Sequence, residues 1–324
     1  MKKEKSTQKT VTISPPKKPL GKRIAKDISR NWILYLLLIP GIFVLICFKI
    51  GPMGGLVISF EKFSPFLGVF KSPWVGLDNF KRILADQYMG KLVRNTIILA
   101  VLSIVVVFPF PVIFSLFLNE VRIKKVRTFT QVLSFFPYFI STAVMVSILS
   151  MLVNPSTGLV NKVIEFFGGK AIYFMGDPKW FRPLYVILQI WHTFGYSTVI
   201  YIASMSAIDT SLYDAAEVDG CGRFQRMWYI TLPEIANSVV VMLIISIGSI
   251  FSVDLDRILL MYNSAVYETA DVIQSYVYRI GFMSTGFPDY SYGAAVNMLK
   301  SVIAFILVIF ANKLAKKYSE TRLF

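Results

Sequence analysis

Histidine and cysteine are almost missing from this chain of 324 residues, which holds one His and two Cys. A Cys/His metal cluster needs three or four converging ligands, so none is expected. Cys47 lies in an apolar run and Cys221 in a charged loop, so the two are not expected to pair. Charge is also scarce. Only 16% of residues are Asp, Glu, Lys or Arg, where soluble proteins average about 25%; 55% are hydrophobic and the mean hydropathy is +0.60. A water-facing globule of 36.7 kDa built this way would lack the polar surface to cover itself. Aromatic residues at 15% argue against disorder or a collagen-like repeat. No G-x-x-x-x-G-K-[S/T] occurs, so the chain does not cradle a nucleotide phosphate in a P-loop, and no G-x-S-x-G elbow presents a nucleophile. No catalytic residue and no metal ligand is expected. Acidic residues are the minority, with 19 Asp+Glu against 34 Lys+Arg, a net charge of +15. In a soluble protein that balance points to nucleic acid, so the location of the charge decides its meaning.

What the sequence has instead is long apolar runs. About 20 mostly apolar residues cross the hydrocarbon as a helix, and six such blocks occur, at 32–50, 94–118, 129–153, 184–208, 235–254 and 294–312. Pro40, Pro109, Pro111 and Pro137 lie inside them, which membrane helices tolerate because neighbours re-satisfy the freed backbone groups. The segments on one side of the six blocks hold 20 Lys+Arg in 80 residues; those on the other hold 11 in 112. The positive-inside rule puts the first set, with both termini, in the cytoplasm. The expected fold is an all-α integral membrane protein of six transmembrane helices. A basic cytoplasmic tail covers 1–31, the membrane domain 32–315 and a short cytoplasmic tail 316–324. The N-terminal tail has ten Lys+Arg, no aromatic interleaving and no apolar segment with a cleavage site. It reads as an orienting tail that touches anionic lipid, and no nucleic acid is expected as a partner.

Ionisable residues in or beside membrane spans are functional candidates by default. Lys300 falls in the sixth block, and Asp254, Asp256 and Arg257 flank the exit of the fifth. They read either as a polar path for a hydrophilic solute or as a Lys300–Asp254 pair that neutralises two costly charges. His192, beside Trp191 in the fourth block, reads as a packed or cavity-lining side chain.

The most informative stretch is the cytoplasmic loop 209–233, Asp-Thr-Ser-Leu-Tyr-Asp-Ala-Ala-Glu-Val-Asp-Gly-Cys-Gly-Arg-Phe-Gln-Arg-Met-Trp-Tyr-Ile-Thr-Leu-Pro. Ser211 followed by Asp214 resembles a capping box, and Gly220 and Gly222 are natural helix stops. Phe224, Met227, Trp228 and Ile230 form a second amphipathic stretch before Pro233. Two short helices joined at a glycine turn are expected.

This loop resembles the EAA loop of permease subunits from binding-protein-dependent ABC importers, E-A-A-x-x-D-G-A, nine residues, then I-x-L-P. Asp214-Ala215-Ala216, Asp219-Gly220 and Ile230-Thr231-Leu232-Pro233 fall in its register; Asp214 for Glu, Cys221 for Ala and Met227 for Phe depart from it. Trp74-Val75-Gly76-Leu77-Asp78-Asn79-Phe80 is similar to the W-x-G-L-x-N-F/Y segment of the oligosaccharide and polysaccharide branch. The stretches 191–208, 267–273 and 276–278 resemble its fourth span and last external segment. The plainer reading of 74–80 is an interfacial aromatic segment.

The resemblance implies the type I ABC importer permease fold in a bacterial inner membrane. It implies a second homologous permease, two P-loop ATPase subunits that carry the ATP and Mg, and an extracytoplasmic solute-binding protein. Asp214, Ala215, Ala216, Asp219, Gly220 and Pro233 would form the segment that couples to the ATPase. Trp191, His192, Tyr196, Asn297 and Lys300 would line the solute path, although most aromatic residues in spans pack structurally. The solute would be an oligo- or polysaccharide, either acidic, such as alginate, with Lys300 or Arg257 as counter-charge, or neutral. Two other classes stand beside this one: an ion-coupled secondary transporter or channel for a polar solute, and a membrane-embedded enzyme or scaffold.

Overall fold

The structure, a computed structural model, describes residues 29–249, 253–283 and 288–318, the last five by backbone alone. The tail 1–28, the end 319–324 and parts of two loops therefore lie outside it. The described residues are mostly helical, with one isolated bridge between Glu61 and Trp74. The chain divides into two units, 1–56 and 57–324.

In the first unit, α1 (Trp32–Leu45) is apolar on every side, and none of its side chains is buried. A helix with no polar face is a membrane span, not a surface helix. It runs on through a wide π turn at Ile46–Ile50, where the Gly51 N–H reaches back to the Ile46 carbonyl, directly before Pro52.

Two long spans organise the second unit. One comprises α2 (Gln87–Leu102), a π turn (Ser103–Val107) and α3 (Pro109–Asn119); the other is α4 (Pro178–Met205). The final span, α5, covers Tyr290–Tyr318. Two further candidates are bent. The helices within 124–139 and 142–152 meet at 102°, and those within 223–234 and 236–248 at 63°. Four helices among the described residues are thus long and apolar enough to cross, or up to six if each bent pair is one span. The straight third block expected over 129–153 is broken for a local reason. Pro137 has no N–H to continue the helix, a 3₁₀ turn forms at Phe136–Phe139, and Ser141 Oγ caps the next helix by accepting from the Val144 N–H. The fifth block also ends early, its helix stopping at Gly248.

Buried residues form three clusters. Leu99, Val107, Met145, Leu149, Leu184, Tyr185, Leu188, Ile258 and Met261 make the largest. A second gathers Ile83, Met89, Leu92, Ile273, Tyr292 and Val296, and a third Val112, Leu116, Tyr201, Met205, Met227 and Ile235. Helix approach is closest at Gly195, where a Cβ would overlap the Ser134 carbonyl and the Phe135 nitrogen.

Buried polar groups fasten the non-helical segments. Asn79 Nδ2 donates to the carbonyls of Ser59 and Glu61 (both 3.0 Å), Trp74 stacks on Phe60 at 5.6 Å, and Gly76 adopts φ 59°. The 74–80 motif is therefore a bracket that clamps the segment before it, rather than only an interfacial aromatic patch. Asn95 Nδ2 donates to the carbonyls of Glu268 and Asp271 and its Oδ1 accepts from Arg182. Fully buried Asp271 accepts from Arg279 (2.6 Å) and from the Tyr88 hydroxyl (2.7 Å). Partial burial pushes the Asp86 carboxyl up, but the Tyr88 N–H and the Tyr292 and Tyr276 hydroxyls outweigh it and hold it below the usual carboxylate range. The stability this site supplies is present above the ordinary carboxylate range and fades as pH falls through the folded-state value.

Two substitutions check this packing. Gly195→Ala should lower the unfolding midpoint of the purified protein, since overpacking costs about 1–3 kcal/mol, whereas Gly90→Ala, with open space around it, should not. Asp271→Ala strands the Arg279 guanidinium and should cost about 3–5 kcal/mol; removing the exposed Arg82–Asp289 pair should cost about 1 kcal/mol or less.

Candidate functional site

The α4 sequence places Tyr185, Gln189, Thr193, Ser197 and Tyr201 at four-residue intervals, which is one helical stripe. That stripe faces a cavity of about 350 Å³. The opposite wall comes from Ala100, Ser103, Val107 and Pro111 of the preceding span, and from Met242, Ser246 and Ser249 of the helix Ala236–Gly248 and its end. Ser103 Oγ donates to Gln189 Oε1 at 3.1 Å across the cavity. Hydroxyl and amide groups thus dominate the polar lining, the complement of a polyhydroxylated solute.

The cavity's charged end is built by Asp254 and Arg257, with His192 behind Arg257. Asp254 caps the helix Leu255–Met261 by accepting from the Arg257 N–H, and its other oxygen takes the Arg257 guanidinium at 3.0 Å. The guanidinium lies 5.3 Å from the Tyr185 ring and donates to His192 Nδ1 at 3.2 Å. Arginine has no acceptor, so Nδ1 accepts and a neutral ring carries its proton on Nε2. Arg257 is 2% exposed and its Nε has no partner within the described residues. Of the two readings of these charges, the Lys300–Asp254 pair does not form: Asp254 is engaged by Arg257 within its own turn. Lys300 Nζ instead donates to Gln274 Oε1 at 2.8 Å.

The other sequence-expected path residues lie apart from this lining. Tyr196 stacks on Tyr138 (4.1 Å, 6° between planes), and His192 packs on the same Tyr138 at 6.0 Å. Trp191 is 36% exposed on another face of α4, and Asn297 and Lys300 sit on α5. Sequence reasoning missed Ser103, Gln189, Thr193, Ser197, Ser246 and Ser249. The four-residue polar stripe in an otherwise apolar α4 was the available signal.

The second feature is the loop 209–233. α6 (Thr210–Val218) is capped by Asp209, not by the expected Ser211: Asp209 Oδ1 accepts from the Ser211 N–H at 2.9 Å. That bond, with the Ser211 hydroxyl, holds the Asp209 carboxyl below its usual range. The helix ends at Gly220, φ 74°, where the Cys221 N–H returns to the Ala216 carbonyl at 2.9 Å. A second helical stretch then runs from Arg223 to Glu234, through a π turn at Met227–Thr231 that precedes Pro233. The two-helix form with a glycine turn matches the expectation. Ala216 is buried, whereas Asp214, Ala215, Asp219, Gly220 and Pro233 are exposed. Leu212, Ala215 and Val218 share the outer face, and Val218 is 89% exposed. Cys47 and Cys221 are both free.

Residues 109–320 match the model of the family described as "Binding-protein-dependent transport system inner membrane component". The polygalacturonan/rhamnogalacturonan transport system permease protein YteP of Bacillus subtilis (strain 168) is 40% identical over 304 residues, 94% of each chain. A crystal structure of a bacterial ABC transporter involved in the import of the acidic polysaccharide alginate contains a chain with TM-score 0.83 and 35% identity, covering 91% of this chain and 99% of that one. A bacterial alginate ABC transporter in complex with alginate pentasaccharide-bound periplasmic protein gives 0.84 and 34%, over 93% and 100%. An extensive family match, a relative at this identity along nearly the whole chain and a shared fold agree: the chain belongs to the binding-protein-dependent transport system inner membrane component family, as a transporter permease.

Proposed function

We propose that this chain is the permease subunit of an ATP-driven importer that moves an oligo- or polysaccharide into the cytoplasm. In this reading it crosses a bacterial inner membrane six times with both termini inside. It pairs with a second homologous permease, receives solute from an extracytoplasmic binding protein, and draws its energy from two P-loop ATPase subunits that hold ATP and Mg. The chain itself is not an enzyme and holds no cofactor. The observation that carries the reading is the polar cavity between apolar spans. Inside hydrocarbon, polar groups are costly and mark solute paths, and here Ser103, Gln189, Thr193, Ser197 and Ser246 converge on one space. The relative named for polygalacturonan and rhamnogalacturonan, and the neighbours named for alginate, favour a uronate-rich saccharide over a neutral one.

The mechanism then runs through the loop 209–233. Its outer face, with Ala215 small and Leu212 and Val218 uncovered, offers a partner subunit close approach, while Ala216 holds the helix to its own loop. Closure of the ATPases would displace this helix and rock the spans, a form of alternating access. The ion-coupled alternative rests on Asp254, and that carboxylate is engaged by Arg257.

Co-expression with a partner permease, ATPase and binding protein, then reconstitution in proteoliposomes, tests the reading. Uptake of oligogalacturonates or maltooligosaccharides should require ATP; uptake driven by an ion gradient without ATP would overturn it. Ser197→Phe should cut uptake about tenfold, equivalent to ~1.4 kcal/mol, at unchanged assembly. Gly220→Val forces a β-branched residue to φ 74°, a strain of about 1–3 kcal/mol, and should lower solute-stimulated ATP hydrolysis while the membrane fold is kept.

A further inference from the structure

Few side-chain contacts anchor the exposed helix α6 to the membrane domain. The Glu217–Arg226 pair is 3.4 Å long and its carboxylate is largely exposed, so it is weak. The other is a hydrogen bond of 2.9 Å between the Tyr213 hydroxyl and Thr231 Oγ1, joining residues 18 apart. Thr231 is 1% exposed, and its single hydroxyl hydrogen is directed to the Arg226 carbonyl at 3.3 Å. Either hydroxyl of the pair can donate; with the Thr231 hydrogen on the Arg226 carbonyl, the order runs Tyr213 to Thr231 to that carbonyl. Thr231 closes the π turn, and its own carbonyl accepts from the N–H of buried Ile235 at 3.1 Å. The next residue, Ala236, begins the helix whose Met242 and Ser246 line the cavity.

We infer that the Tyr213–Thr231 bond is the strut that carries displacement of α6 into the cavity wall, making both residues positioning residues for transport. This rests on the coupling role proposed for α6. Without the strut, buried Ala216, the glycine turn at 220 and a solvated ion pair remain as ties, and none of them bonds α6 to Thr231. Movement of α6 would then dissipate in the loop instead of turning the helix Ala236–Gly248. Two hydroxyls placed this way accomplish what extra apolar packing would not, because a hydrogen bond fixes direction as well as distance.

The assembled complex, carrying Ser246→Cys in a Cys47→Ser and Cys221→Ala background, is treated with a water-soluble maleimide with and without ATP. The strut predicts that ATP changes the labelling rate. Tyr213→Phe and Thr231→Val should each shrink that change about three- to tenfold, the range for one lost hydrogen bond, at an unaltered basal rate of ATP hydrolysis, measured without solute. Thr231→Ser, which keeps the hydroxyl, should preserve it. Four results would overturn the strut: no ATP effect in the parent, an undiminished effect in both variants, labelling change and hydrolysis falling together, or Thr231→Ser failing like Thr231→Val. Ala215→Trp separates this from the docking reading. If it leaves the ATPase subunit bound and stimulated, docking through α6 is wrong. If it releases the ATPase while Tyr213→Phe keeps the ATP effect, only the strut is wrong.

Discussion

A proline inside a membrane helix deletes a backbone hydrogen bond that no water can replace, and its ring collides with the carbonyl four residues back. This chain meets that constraint the same way three times. Before Pro52, Pro109 and Pro233 the preceding residue bonds five residues back instead of four, Gly51 to Ile46, Phe108 to Ser103 and Leu232 to Met227. The wider turn moves the obstructing carbonyl aside without ending the helix. Its consequences reach the site: the second π turn brings Ser103 and Val107 to the cavity, and the third holds Thr231 under Tyr213. At Pro137 no such turn forms and the span breaks at 102°, whereas Pro40 and Pro183 sit inside helices that continue without one.

The same shortage of water governs the irregular segments. A loop that carries buried carbonyls needs donors from within the protein, and single side chains supply them in groups. Asn161 alone donates to the carbonyls of Val153, Asn154 and Ile172 and accepts from the Ile172 N–H, closing the segment after the third block on itself. Asn79 and Asn95 donate to carbonyls of other segments in the same way, and the buried Asp271 carboxylate accepts from Arg279. One of these ties reaches the cavity-bearing helix, since Arg182 of α4 is bonded to Asn95 and so to the 268–271 segment.

Much of the fold was legible because apolar length is a strong signal. Four blocks reappear as long helices, extended at their ends where amphipathic residues such as those of 178–183 continue the helix beyond the apolar run. The bends were not legible, since Pro109 and Pro137 look alike in sequence yet one is absorbed by a π turn and the other breaks the helix. In the loop 209–233 the glycine turn was readable from Gly220, but the cap was not: Asp209 and Ser211 are both good caps, and the geometry chose the residue that starts the turn earlier. The cavity was harder still. Trp191, His192 and Tyr196 were chosen by chemistry, whereas the residues that converge there are the small polar ones on a different stripe, which a search for aromatic platforms passes over.

Charge placement limits what the cavity can select. The net charge of +15 resides mostly in the segments that the positive-inside rule assigns to the cytoplasm, so it speaks to orientation and says little about the solute. Within the cavity Arg257 is the one cation on the lining, and Asp254 at 3.0 Å already neutralises it. A uronate entering there would meet a pair, not a free positive charge, and would gain little Coulomb energy after displacing Asp254. Hydroxyl and amide groups bind uronates and neutral sugars alike, so this lining does not rank saccharides by charge. Under the proposed function, a preference for acidic polymers would then be set by the binding protein that delivers the solute, and this chain would serve its transit.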